Sequence, residues 1–159
     1  MINAAEILDN PGYQEEIADI AEKTLELGWD VEYDGILHFS GTTGGQPSGR
    51  LEPDAEESML KLVLSSWDDK LWWVHSEALY TTLLLYERTG RENFLKWHDR
   101  VFDYTFDKHK NPNREVREWI QILTRDGKPQ EKVVALPVKD PYHISRNLAL
   151  IIELLGKMI

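Results

Sequence analysis

The chain has 159 residues, with 28 acidic against 18 basic side chains, a net charge of −10 and no cysteine. Its length predicts one domain, residues 1–159, large enough to bury a core, and its acidic balance argues against nucleic acid or an anionic membrane surface as a partner. The lack of cysteine excludes a disulfide framework, a cysteine–zinc site and a thiol nucleophile; with no leader pattern and no apolar run of spanning length, the expectation is a cytoplasmic protein.

In chain order, Ile7, Leu8, Ile17, Ile20, Ala21 and Leu25 recur at helical spacing and predict a helix ending near Gly28. Gly35 to Ser40 alternates like an extended piece, and Ser40 to Pro53, rich in Gly, Ser, Thr and Pro, predicts a mobile loop over about residues 40–56. Ala55 to Ser66 predicts a short helix. The next helix opens at the tryptophan pair Trp72-Trp73 and continues through Leu79, Leu83 and Tyr86, with Gly90 in the left-handed position past its end. Phe94, Trp97, Val101, Tyr104 and Phe106 predict another helix, on whose exposed face Trp97-His98-Asp99 places a histidine. Val116 to Thr124 is a second extended stretch, and Leu148, Ile151, Ile152 and Leu155 follow on a last helix. Helix, extended piece, helix thus occurs twice, as in repeated helical hairpins.

Two stretches carry chemistry. In Lys139-Asp140-Pro141-Tyr142-His143-Ile144-Ser145-Arg146, Asp140 suits a cap and Pro141 the first helical position. His143 then lies in the first turn, near the positive end of the helix dipole, with Arg146 one turn on; both positive potentials favour a neutral imidazole, able to act as a general base. In Asp69 to Leu79, Trp73 and Glu77 are four apart and share a helix face, whereas His75 points about 200° away from Glu77. An aromatic wall beside a carboxylate suits a sugar, the ring against C–H faces and the carboxylate orienting a hydroxyl or a base. The plainer alternatives are a histidine of a capping region, tryptophans anchored in the core and a solvated Glu77. His75 and Glu77 have no third ligand nearby, so no metal is expected, and Gly44-Gly45 lacks the lysine and helix of a phosphate loop.

Together the two stretches resemble the N-acylglucosamine 2-epimerase family, which includes the renin-binding proteins and is related to the cellobiose 2-epimerases. The family pattern Lys-x-Trp-Trp, then Gln or His, a small residue and Glu-Ala reads here Lys70-Leu71-Trp72-Trp73-Val74-His75-Ser76-Glu77-Ala78. Asp126-Gly127-Lys128-Pro129 and the segment from Lys139 to Arg146 follow in family order, and Leu27 to Ile36 looks like the family's helix-to-strand turn. Val138, where relatives often carry an aromatic residue, is a departure.

The resemblance implies an all-α fold of helical hairpins, part of an (α/α)6 barrel with short β excursions, and interconversion of sugars at C2 by proton transfer between two opposed histidines. It assigns His143 to the C-terminal member of that pair, Trp72, Trp73 and Glu77 to substrate-pocket positions, and Arg146 to the arginine after the histidine. It needs no cofactor and takes a small-molecule sugar, an N-acylhexosamine or a related one. The family's N-terminal part, with the partner histidine and a substrate-binding arginine, has no counterpart here; none of His38, His75, His98 and His109 lies in a matching stretch. The expectation is therefore an incomplete site that works as a homodimer or with a complementing N-terminal chain. The alternative is a non-catalytic helical module for sugar binding or protein association. A glycoside hydrolase would need an opposed pair of carboxylic acids, and only Glu77 is placed for one.

Overall fold

The computed structural model describes residues 11–50, 58–116, 118–132 and 142–159. Within them the order is α1 (Pro11–Gly28), α2 (Ser58–Ser66), β1 (Lys70–Leu71), α3 (Trp72–Thr89), α4 (Glu92–Lys108), β2 (Ile122–Leu123) and α5 (His143–Met158). Ile7, Leu8, Lys139, Asp140 and Pro141, and residues 51–57 of the expected loop and short helix, lie outside the described residues.

Helix α3 is central because its sequence leaves it little polar surface. Trp72, His75, Ser76, Leu79, Thr82, Leu83, Leu84 and Leu85 are all buried, so burial runs round the helix rather than along one stripe. Helices α1, α4 and α5 pack against it. One core cluster joins Ala18, Leu83, Leu84, Leu85, Phe94 and Leu154; a second joins Leu25, Trp29, Leu79, Trp97, Val101, Tyr104 and Leu123, and Ile151 packs against both. Gly90 ends α3 at φ 67°, and its N–H donates to the Tyr86 carbonyl at 2.8 Å, as the sequence predicts.

The outer helices bury narrower stripes than their apolar residues suggest. On α1 the inward residues are Ala18 and Leu25, flanked by Ile17 and Ala21; Ile20, about 200° from Ala18, is 54 % exposed. On α5 the inward line is Asn147, Ile151 and Leu154, which turns Ile152 and Leu155 out to 71 % and 41 % exposure. His98 departs from its expected exposed place: it is half-buried, and its Nδ1 donates to the Leu79 carbonyl of α3 at 3.0 Å.

The extended pieces are shorter than predicted, and only one of them pairs with a strand distant in sequence. Ile122 and Leu123 pair antiparallel with Leu71 and Lys70, the residues just before α3, while Trp119 makes a single bridge to Lys110. Within the stretch from Gly35 to Ser40 only Ile36 is bridged, back to Trp29, closing a turn at the end of α1. That turn needs positive φ at Asp34 (59°) and Gly35 (79°), and a Cβ at Gly35 would lie 2.5 Å from the Tyr104 ring. No helix among the described residues is long and apolar enough to cross a membrane.

Candidate functional site

Two helix beginnings meet at the site. Trp73 and Glu77 come from the first turns of α3, and His143 and Arg146 from the first turn of α5; the i,i+4 and i,i+3 spacings put each pair on one face, and the packing of α5 on α3 brings the faces together. Glu77 Oε1 lies 2.8 Å from His143 Nδ1, and Arg146 Nη1 stands 3.7 Å from Glu77 Oε2. The Trp73 ring lies beside the imidazole, with centroids 5.3 Å apart and planes inclined at 37°. Tyr142 meets the same imidazole edge-on, and Arg146 lies over both Tyr80 and Tyr142 at 5.6 Å.

This arrangement fixes the tautomer. A carboxylate only accepts, so Nδ1 of His143 carries the hydrogen, and in the neutral ring the lone pair resides on Nε2. From the sequence two positive potentials act on His143, the helix end and Arg146; the fold adds the negative Glu77 carboxylate from another helix. Glu77 is half-exposed, with a third of its side chain open to solvent.

Of the residues singled out from the sequence, Trp73, Glu77, His143 and Arg146 come together, and Trp72 does not join them. Neighbouring residues differ by about 100° on a helix, so Trp73 is 39 % exposed at the site while Trp72 is 8 % exposed and faces inward. His75 is fully buried and points away from Glu77: its Nε2 accepts from the Ile36 N–H at 3.0 Å and its Nδ1 donates to the Leu71 carbonyl at 2.7 Å. It stacks on Tyr104, with ring centroids 5.1 Å apart, and contacts His109. Burial, then the neighbouring His109, holds His75 far below the ordinary histidine range, and burial takes His109 down to about 4.

A second group lies behind the site; Lys70 and Asp30 fall within stretches that carry the family resemblance, but nothing in the sequence pairs them. Lys70 is fully buried, and its Nζ donates to Asp30 Oδ2 at 3.0 Å and to the carbonyls of Asp34 and Gly35 at 2.5 and 3.3 Å. Arg125 grips the same Asp30 through its Nε and Nη2, at 2.8 and 3.0 Å. Burial alone would raise Asp30, but hydrogen bonds from Arg125, Lys70 and the Glu32 N–H outweigh it and bring the carboxyl to about 2. Burial lowers Lys70 to about 8 against the opposing Asp30 bond. The cluster ties the turn after α1 to the strand that leads into α3, and so helps fix where Trp73 and Glu77 stand. A third contact, Asn147 of α5 with Ser76 of α3, sits one helical turn from the His143–Glu77 pair.

The family model for N-acylglucosamine 2-epimerase (GlcNAc 2-epimerase) matches residues 10–146. The N-acylglucosamine 2-epimerase of Bos taurus is 34 % identical over 146 residues, covering 89 % of this chain and 31 % of that protein. The Homo sapiens protein of the same name is 32 % identical, covering 89 % and 30 %. Among solved structures, the cellobiose 2-epimerase from Bacillus thermoamylovorans B4167 superposes with a TM-score of 0.63 at 26 % identity, over 91 % of this chain and 31 % of that one. A D-mannose isomerase superposes with a TM-score of 0.72 at 14 % identity, over 96 % and 34 %, a likeness of fold alone. The helices are thus part of an (α/α)6 barrel, and the chain spans 31 % of the length of the first of these relatives. With the matched segment running through the motif residues from Lys70 to Arg146, the chain belongs to the N-acylglucosamine 2-epimerase family.

Proposed function

We propose that this single domain is the C-terminal portion of a sugar 2-epimerase or isomerase and supplies one side of its proton-transfer site. The observation that carries this is His143 Nδ1 held 2.8 Å from Glu77 beside the half-exposed Trp73 ring. Epimerisation at C2 takes a proton from one face of the sugar and returns one to the other through an enediolate-like intermediate. His143 is the catalytic residue, taking or giving the proton through Nε2 while Glu77 holds the ring and balances its charge. Trp73 stacks on the sugar, Glu77 and Arg146 contribute to binding, and Trp72 anchors the helix start that presents them. The step as written uses only side chains, no cofactor, and its substrate class is an N-acylhexosamine or a related sugar, in a cytoplasmic setting.

The opposed base comes from outside this sequence, from a complementing segment or a second subunit. Both ring nitrogens of His75 are already hydrogen-bonded, and His109 is fully buried, so neither supports the role. The test is incubation of N-acetylmannosamine and related sugars with the chain in D₂O, following C2 by NMR. The expected result is slow exchange of the C2 hydrogen without net epimerisation, abolished by His143→Ala, and turnover once the complementing segment is supplied. Full turnover by the isolated chain would overturn the one-base reading. Neither exchange nor sugar binding would leave the helical module of protein association.

A further inference from the structure

Among the polar contacts between α3 and α5, two stand one turn of α5 apart. The half-exposed one is His143–Glu77, the proposed site. The other is buried: Asn147, fully enclosed, donates from Nδ2 to Ser76 Oγ at 3.2 Å. The hydrogen bonds around it run in one direction with no donor used twice. Arg146 Nη1 donates to Asn147 Oδ1 at 2.7 Å, Asn147 to Ser76, and Ser76 Oγ to the Trp73 carbonyl at 2.9 Å. The chain of bonds thus starts at the Arg146 guanidinium beside Glu77 and ends on the backbone of Trp73, so that it joins the site at both ends.

An apolar residue at this place on the inward line with Ile151 and Leu154 would need no partner. An asparagine there has satisfied groups only when α5 stands at one rotation and one height against α3. A slip of one residue turns α5 by about 100° and shifts it about 1.5 Å, which would leave the amide unpaired and take His143 away from Glu77. Asn147 and His143 are four apart and move together on one helix face.

We infer that Asn147, through Ser76, is a positioning residue that sets the register of α5 on α3 and aims Arg146 at Glu77, so that His143 keeps its Nδ1 on the carboxylate. The inference deepens the proton-transfer reading and rests on it, but its readout does not need turnover. In the full chain, ¹⁵N NMR of the histidine side chains, with the His143 signals assigned by their loss in His143→Ala, reports which ring nitrogen holds the hydrogen. The parent is expected to show the Nδ1–H tautomer alone.

Asn147→Leu and Ser76→Ala are expected to keep a cooperative melt while the His143 ring becomes a mixture of tautomers. C2 exchange should fall tenfold or more, with little change in the sugar concentration that half-saturates it. Folded variants that retain the Nδ1–H tautomer overturn the inference, as does a parent ring that lacks it. If Asn147→Leu fails to fold, Ser76→Ala, which removes the acceptor without adding volume, decides by the same reading. Loss of the fold in both assigns the pair to stability and overturns the positioning role. A tautomer that shifts in the variants of a chain with no C2 exchange upholds the positioning and sinks the enzymatic reading instead.

Discussion

Trp72 and Trp73 are adjacent and chemically identical, and the helix gives them different work. Truncating Trp72, 8 % exposed, removes a large side chain from a packed interior and should cost about 3–5 kcal/mol of stability. Trp73, 39 % exposed beside His143, should lose about 1 kcal/mol or less on change to Ala, while sugar binding weakens several-fold. Thermal melts and titration calorimetry on the two variants separate these outcomes; a collapse of folding in Trp73→Ala with no sugar bound by the parent would return both rings to the core. The buried histidines belong to the same scale. His75 and His109 are neutral in the fold, with His109 at about 4, whereas in the unfolded chain both take up a proton near the ordinary value of 6.5. The unfolded state therefore binds more protons below pH 6.5, and stability falls as pH drops from 6.5 to about 4, by about 1.4 kcal/mol per pH unit for each ring. Denaturant melts between pH 4 and 7 should show this slope, and replacing His109 by Gln should reduce it.

Elements were legible in the sequence where periodicity is local. The helix through Leu79, Leu83 and Tyr86 ends at Gly90 as its pattern says, because a left-handed cap and an i,i+4 stripe are both written within a few residues. What periodicity cannot say is which apolar side faces in: Ile20, Ile152 and Leu155 fit the helical repeat but lie outside the stripe that the neighbouring helices cover. The strands were harder still, since Ile122–Leu123 pairs with residues two whole helices away in the chain. The site was half legible. Trp73 with Glu77 and His143 with Arg146 follow from spacing within one helix, but the bond between the pairs, and the burial of Lys70, depend on packing that no local pattern encodes. The turn after α1 offers a sharp test at this scale. Gly35 sits at φ 79° with the Tyr104 ring where a Cβ would be, so Gly35→Ala should destabilise by about 2 kcal/mol or more in urea melts, and a smaller loss would show that the turn can shift.

At the scale of the molecule, the outward side of α5 is conspicuous. Ile152 and Leu155, with Met158 at 40 % and Ile159 at the end, leave apolar surface uncovered along a helix whose first turn carries His143. Since the chain spans 31 % of its bovine relative, the expected occupant is another part of the barrel, supplied by a complementing chain or a second copy. Light scattering at micromolar concentration should find a dimer or larger species, and Ile152→Glu with Leu155→Glu should shift it towards monomer. A monodisperse monomer of the parent would count against the incomplete-barrel reading.

The enclosure of Lys70 has a consequence for how the protein would respond to reagents. Lys70 is fully covered, so an acylating reagent meets its amine only when the turn after α1 lifts away. Its labelling rate then measures the frequency of that opening, while the exposed lysines 23 and 157 label at once and set the clock. Because the label removes the charge that Asp30 and two carbonyls require, a molecule labelled during an opening cannot close again on them, and the entrance to α3 that carries Trp73 and Glu77 is lost with it.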